Sequence, residues 1–286
     1  MCIRDRRTPA RRTRPVRVHF CGVRGSTPAP GAEFVRVGGH TSCVAVAHDT
    51  GPWRLILDAG TGIRMVTPLL GGEPFRGTIL FGHIHLDHTQ GLPFFTAADR
   101  DDAVVQVLLP EQGVEAEALF ARCFSPPHFP ISPRELNGEW TFDSIDVGVH
   151  QIEGFTVTAL EVPHAGGRTL GYRIADETSS LAYLSDHRTG DAHDARAAAM
   201  TLSSGVDVLI HDSQFTPEEQ QRFAHYGHST PDAALDLAER AHARRLVMFH
   251  HSPTRNDDQV EALAEGLGAS EVEVLIGRDG LELQLP

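Results

Sequence analysis

The chain has 286 residues, a net charge of −13 and 41% hydrophobic residues, enough for one large globular domain or two small ones. It holds no run of about 18 apolar residues, which excludes a hydrophobic membrane helix. All 25 basic residues are arginine, which excludes a lysine nucleophile or Schiff base.

Residues 1–17 carry seven arginines against one aspartate and lack the apolar stretch of a secretory signal. They read as a disordered or non-native basic leader over 1–15, ahead of a single domain over 16–286. A nucleic-acid or membrane-surface arm is the other meaning of such a block. No basic run follows, so the acidic body has no cation cluster with which to displace counterions from a polyanion, and a long nucleic-acid partner is not expected. Cys2, Cys21, Cys43 and Cys123 form no CxxC pair, which argues against a cysteine zinc site. With no export signal, reduced thiols in a cytoplasm are the simplest reading. Histidine is the outlier at 17 copies.

Runs of Val, Ile, Leu and Phe bounded by Gly, Pro or Asp predict strands at 16–23, 42–47, 54–57, 78–85, 104–109, 155–162, 169–174, 180–184, 206–210, 245–249 and 272–276. Apolar periodicity predicts helices at 89–98, 114–123, 193–202, 230–242 and 257–267. Thr230 followed by Pro231 has the form of an N-cap with proline at the first helical position, and Asp258 precedes another periodic run. The Pro- and aromatic-rich stretch 125–140 reads as a long loop, a kind that often carries function. No linker splits the chain, so one domain with two sheets and interspersed helices is expected.

Residues 78–91 read TILFGHIHLDHTQG. On a strand, positions i and i+2 share a face, so His83 and His85 are expected on one side while Ile84 and Leu86 enter the core. Asp87 and His88 follow at the strand's end. Three imidazoles and a carboxylate within six residues are costly to desolvate together unless they hold a cation. Imidazole with carboxylate suits Zn(II), and also Fe or Mn. A surface or packed-core histidine cluster is the ordinary alternative, which the HxHxDH spacing after an apolar run disfavours.

HIHLDHTQG resembles the metal motif of metallo-β-lactamase-fold hydrolases, which implies an α/β (α+β) fold built as a four-layer αβ/βα sandwich. The resemblance covers about residues 16–282. It implies that His83, His85 and His164 (in VPHAG) hold one metal. Asp87, His88 and His250 (in LVMFHH) then hold a second, with Asp186 (in LAYLSDH) bridging. His251 is the rival to His250. Two divalent ions are implied, Zn(II) first, with Mn(II) or Fe(II) as substitutes.

A bridging carboxylate rather than Cys at position 186 points away from true β-lactamases. VLIHDSQF (208–215) and YGHSTP (226–231) are similar to the His-acid and His-Ser-Thr motifs of ribonuclease Z and related phosphodiesterases. That implies His228 as proton donor to the leaving group and Asp212 as its orienting acid, with Asp where ribonuclease Z has Glu. Asp87, His228 and Asp212 are thus the expected catalytic groups, Asp87 doubling as a ligand. FCGVRGSTP (20–28) and VGGHTSC (37–43) resemble the same group, although His40 stands where Asn is expected. Only residues 165–185 separate His164 from Asp186, room for a hairpin but not for the tRNA-gripping arm of ribonuclease Z. The interval is closer to the phosphodiesterases of phosphonate breakdown and of cyclic nucleotides.

The expected activity is hydrolysis of a small cyclic or linear phosphodiester by water activated on two metals. A thioester or lactone hydrolase of the same fold is the alternative, and a metal-stabilised non-catalytic sensing module a more remote one. Arg24, Arg168 and His128 are candidate substrate contacts. A homodimer is compatible with the fold, and no membrane association is expected.

Overall fold

The structure is a computed structural model describing residues 15–189 and 193–286. Apart from Pro15, the expected leader lies outside the described residues, as does Cys2. Fourteen strands form among the described residues. The first six are β1 (Val16–Gly22), β2 (Cys43–His48), β3 (Leu55–Leu57), β4 (Arg76–Leu80), β5 (Val104–Pro110) and β6 (Glu139–Ile145), side by side in that order. The second sheet holds β7 (Gly148–Ile152), β8 (Phe155–Glu161), β9 (Leu170–Ala175), β10 (Ser180–Leu184), β11 (Val208–Asp212), β12 (Arg245–Phe249) and β13 (Glu273–Ile276). The last strand, β14 (Glu282–Gln284), returns to pair with β1, making two sheets of seven.

Both sheets change from antiparallel to parallel pairing midway, at β3 in the first and β10 in the second. The helices are α1 (Val66–Leu69), α2 (Leu86–Thr89), α3 (Ala116–Cys123), α4 (His193–Ser203), α5 (Pro217–Phe223), α6 (Pro231–Arg240) and α7 (Asp257–Glu265).

Side-chain alternation divides each strand between two cores. On β3, Leu55 and Leu57 face the second sheet while Ile56 packs outward. Between the sheets lie Val18, Phe20, Val44 and Val46 against Val157, Tyr172, Tyr183 and Phe249. The outer face of the first sheet packs on Leu119 and Phe120 of α3. That of the second packs on Leu202 of α4 and Ala234 and Ala238 of α6. Strands buried on both faces read as continuous apolar runs, which is why they are visible in the sequence. The result is the expected αβ/βα sandwich. Phe249 sits between Phe20, with ring centroids 6.2 Å apart, and Tyr183, at 5.8 Å. Phe249→Ala is therefore expected to cost about 3–5 kcal/mol of stability, read as a lower urea midpoint at unchanged slope.

Some expectations fail for identifiable reasons. The strand β4 stops at Leu80 rather than reaching residue 85, so His83 and His85 lie on a loop instead of a strand face. Gly82 N–H bonds to Asp58 Oδ1 instead of a neighbouring strand. Leu86, expected in the core, is 62% exposed, whereas Ile84 does pack on the outer core. The helix expected at 89–98 is only α2 and a 3-10 turn, Leu92–Phe94. Pro93 removes a helical donor. Gly91 presses on the Gly60 carbonyl, where a Cβ would stand 2.0 Å from the oxygen.

The edge strands β6, β7 and β14 and the polar helix α5 were not anticipated, because their apolar residues are few. Stretch 125–140 is a loop with one 3-10 turn, Pro133–Glu135, up to the start of β6. The interval between His164 and Asp186 is the β9–β10 hairpin. No helix among the described residues is long and apolar enough to cross a membrane.

Candidate metal centre

Strand ends supply nearly every group of the site. Asp58 follows β3, His83 and His85 follow β4, His164 follows β8, Asp186 follows β10, Asp212 ends β11 and His250 follows β12. Asp87 and His88 enter on the short helix α2. Of six non-glycine residues with positive φ among the described residues, three are here: Ser26 (64°), Asp58 (59°) and His250 (56°). Left-handed backbone at such residues is costly and persists where surrounding contacts enforce it. Ser26 N–H donates to Asp87 Oδ2 at 2.6 Å, and Asp58 accepts from both His88 and Gly82.

Donor atoms of His83, His85 and His164 lie within 4.8 Å of one another, as do those of Asp87, His88 and His250. Asp186 lies between the two groups. Its carboxylate is 3.8 Å from His83, 3.1 Å from His88, 3.6 Å from His164 and 3.3 Å from His250. The seven residues expected as ligands are thus brought to one place.

The choice between the adjacent histidines is resolved geometrically. His250 Nε2 is 3.2 Å from Asp87 Oδ2, while His251 turns away and donates through Nε2 to Gly277 O at 3.0 Å. Burial, helped by the positive charge of Arg24, lowers the His251 pKa to about 3.

This donor set fits divalent cations. His88 Nδ1 donates to Asp58 Oδ2 at 2.7 Å, so its Nε2 carries a bare lone pair when the ring is neutral. That nitrogen faces His250 Nε2 at 3.3 Å and Asp186 Oδ2 at 3.1 Å. His164 Nδ1 donates to Gly227 O at 2.8 Å, which turns its Nε2 toward His85 Nδ1 at 3.3 Å. Both ring nitrogens of His83 and Nδ1 of His250 are buried with no hydrogen-bond partner. Unpaired buried groups cost about 1–3 kcal/mol each, and opposed lone pairs add repulsion that cations between them would remove. Burial also holds His83, His85 and His164 below the usual imidazole pKa, in the neutral form that binds metals.

His228 and Asp212 also meet. His228 Nδ1 is 2.9 Å from Asp212 Oδ2 and 3.8 Å from Asp186 Oδ1. Gln214 N–H holds the other Asp212 oxygen at 3.0 Å. Burial pulls the His228 pKa down, but Asp212, by charge and hydrogen bond, with help from Asp186 and Asp87, raises it to about 9. Cations bound nearby will draw it back toward neutrality.

Three expected substrate contacts are not at the site. Arg24 is fully buried, with its guanidinium bonded to the carbonyls of Gly38, Ser252 and Arg255 and to Asp257. Arg168 is taken up by Glu161 and Asp146. His128 is an exposed residue outside the cleft lining. In each case a lone basic residue gave no sign of where its side chain would be needed.

Asp58 and Tyr183 were missed. Tyr183 O–H donates to Asp58 Oδ2 at 2.7 Å, and Asp58 fixes the His88 ring, an arrangement that orients metal-binding histidines. The available signal was a carboxylate placed directly after an apolar strand and before Ala59-Gly60. Asp58→Asn is expected to weaken metal affinity by roughly 10–100-fold, measured by competition with a chromogenic chelator.

Over the centre opens a cleft of about 670 Å³. His85, Asp87, His164, Asp186, His228 and His250 reach it, with Ser26, Gln214, Phe215, Phe223, Tyr226 and residues 252–254 around them.

The family described as "Beta-lactamase superfamily domain" matches residues 53–251. The chain belongs to the beta-lactamase superfamily. A ribonuclease Z of Natronomonas pharaonis is 23% identical over 321 residues, covering 95% of this chain and 98% of that protein. The metallo-β-lactamase-fold protein YhfI from Bacillus subtilis superposes with a TM-score of 0.67 at 19% identity, over 94% of this chain and 99% of that one. A diphosphatase from the PhnP family superposes with a TM-score of 0.65 at 20% identity, over 94% and 97%. As a member of this superfamily with this His/Asp cluster, the protein is a metal-dependent hydrolase.

Proposed function

We propose that the protein is a two-metal phosphodiesterase acting on a small cyclic or linear phosphodiester, with Zn(II), Mn(II) or Fe(II) held by His83, His85 and His164, by Asp87, His88 and His250, and by Asp186 between them. The observation that carries the reading is the His228–Asp212 pair, 2.9 Å apart at the edge of the metal cluster and lining the same cleft. A phosphodiester leaves a poor alkoxide, which needs a proton; a thioester leaves a thiolate, which does not. When bound, the divalent ions supply Lewis acidity toward water and the phosphoryl oxygens.

The chain's own residues do the rest. Asp212 accepts from His228 Nδ1 and so fixes the ring, and no hydrogen bond among the described residues uses its Nε2. The water oxygen joins phosphorus, its proton passes to solvent, and the P–O bond to the leaving alcohol breaks. His228 gives its proton to the leaving oxygen and is reprotonated from solvent. The products are an alcohol and a phosphomonoester, carried on one molecule when the diester is cyclic.

The ribonuclease Z relatives favour a nucleic-acid diester. The short β9–β10 hairpin and the absence of arginine from the cleft lining among the described residues favour a small one. The first test is turnover of bis-p-nitrophenyl phosphate by protein loaded in turn with Zn, Mn or Fe(II). Turnover dependent on added metal is expected; no turnover with any of the three ions would remove the reading.

A further inference from the structure

The cleft over the metal centre carries a line of aromatic rings that the metal chemistry does not use. It begins at the proposed proton donor. Phe215 meets His228 edge-on at 5.2 Å between centroids, Phe223 follows Phe215 at 6.1 Å, and Tyr226 follows Phe223 at 6.2 Å. All four line the cleft, and exposure grows outward: Phe215 is 7% exposed, Phe223 half-buried and Tyr226 55% exposed. An exposed tyrosine at a cleft mouth presents a ring face at little conformational cost on binding.

The strip is also held in place. Thr216 caps α5 through the Glu219 amide, Arg255 bonds to Gln214 O and Glu219, and Gln220 Nε2 donates to His228 O at 3.3 Å. Arg222 packs over the Phe223 ring rather than in the lining. The chain has no lysine, and no arginine lines the cleft among the described residues, so a second phosphate there would have no counter-charge.

We propose that Phe215, Phe223 and Tyr226 bind the leaving group of the substrate, and that this group is a planar, uncharged ring system such as a nucleoside without a further phosphate. The assignment rests on the phosphodiesterase reading, because His228 protonates the departing oxygen and the rings start at His228. Each stacked ring is worth enough to shift affinity roughly tenfold.

The test uses the Zn-loaded full chain and two readouts. In the first, calorimetry with adenosine, an uncharged ring ligand with no diester, is expected to give saturable binding. Tyr226→Leu should weaken it about tenfold and Phe223→Leu with Tyr226→Leu further, while Tyr226→Phe keeps it; unchanged thermal midpoints would show that the variants fold. In the second, KM for a diester that releases adenosine should rise about tenfold in Tyr226→Leu, with KM for one that releases methanol unchanged. A phosphate added to the leaving nucleoside should lower kcat/KM at least tenfold. Adenosine binding equally to wild type and the double variant, equal KM changes for both diesters, or faster turnover of the phosphorylated substrate would each overturn the proposal. Failure of the underlying phosphodiesterase reading would look different: no hydrolysis of bis-p-nitrophenyl phosphate by the wild type.

Discussion

Replacing His228 with alanine is expected to slow release of an alkyl alcohol from a phosphodiester by about a hundredfold or more, while release of p-nitrophenol slows far less. The asymmetry follows from the proposed role. An alkoxide is a strong base and leaves slowly unless its oxygen is protonated as the bond breaks; p-nitrophenolate is stable near neutral pH and gains little from a proton. A histidine that merely props up the metal cluster would slow both substrates alike. His228 approaches Asp186 at 3.8 Å, so this alternative is real and the control matters. Metal content of the variant should equal that of the wild type. Asp212→Asn is expected to show the same leaving-group dependence in weaker form, because the amide oxygen still accepts from Nδ1 but no longer supports positive charge on the ring. Equal losses for alkyl and nitrophenyl leaving groups, at full metal content, would show that His228 is not the proton donor.

The site was readable wherever its residues were consecutive or closed an apolar strand. The His83–His88 run announces itself by spacing, and His164, Asp186 and His250 each follow a run of Val, Leu or Phe that cannot hide. Asp58 also closes an apolar strand, but its orienting role was not readable, because its partners are remote in sequence: it meets His88 across 30 residues and Tyr183 across 125. The aromatic strip was hidden for a related reason. Phe223 and Tyr226 belong to a polar helix and the turn after it, where an aromatic looks like ordinary packing until the cleft is seen.

Arg24 shows the opposite error. Expected as a substrate contact, its guanidinium instead serves as an internal clamp. It ties the 36–38 turn, through Gly38 O, to the 252–257 loop, through two carbonyls and Asp257. The fold was legible through strands buried on both faces and failed at edges, since β6 exposes six of its seven positions at least in part while Val105 and Val107 of the neighbouring β5 are buried.

Removing Asp186 is expected to change the protein more than any other single substitution at the site. Its carboxylate lies within 3.8 Å of nitrogens on His83, His88, His164, His228 and His250, so it reaches histidines of both donor groups. Its charge is held firmly on: burial would raise the pKa, but His250, His88 and His83 keep it well below the ordinary carboxylate range. Asp186→Ala removes an anion common to the two groups and leaves the imidazoles facing one another. On the proposed two-metal reading, metal content should fall from two ions per chain to one or none, measured by plasma emission on dialysed protein.

The stability consequence follows by linkage. A ligand present at a thousand times its Kd stabilises the native state by about 4 kcal/mol, which for a chain of this size corresponds to roughly ten degrees in the unfolding midpoint. Chelation should therefore lower the midpoint of the wild type by about that much and leave Asp186→Ala nearly unmoved. A variant that keeps two ions and the wild-type response to chelator would show that the two donor groups bind their metals independently, with Asp186 serving only to balance charge.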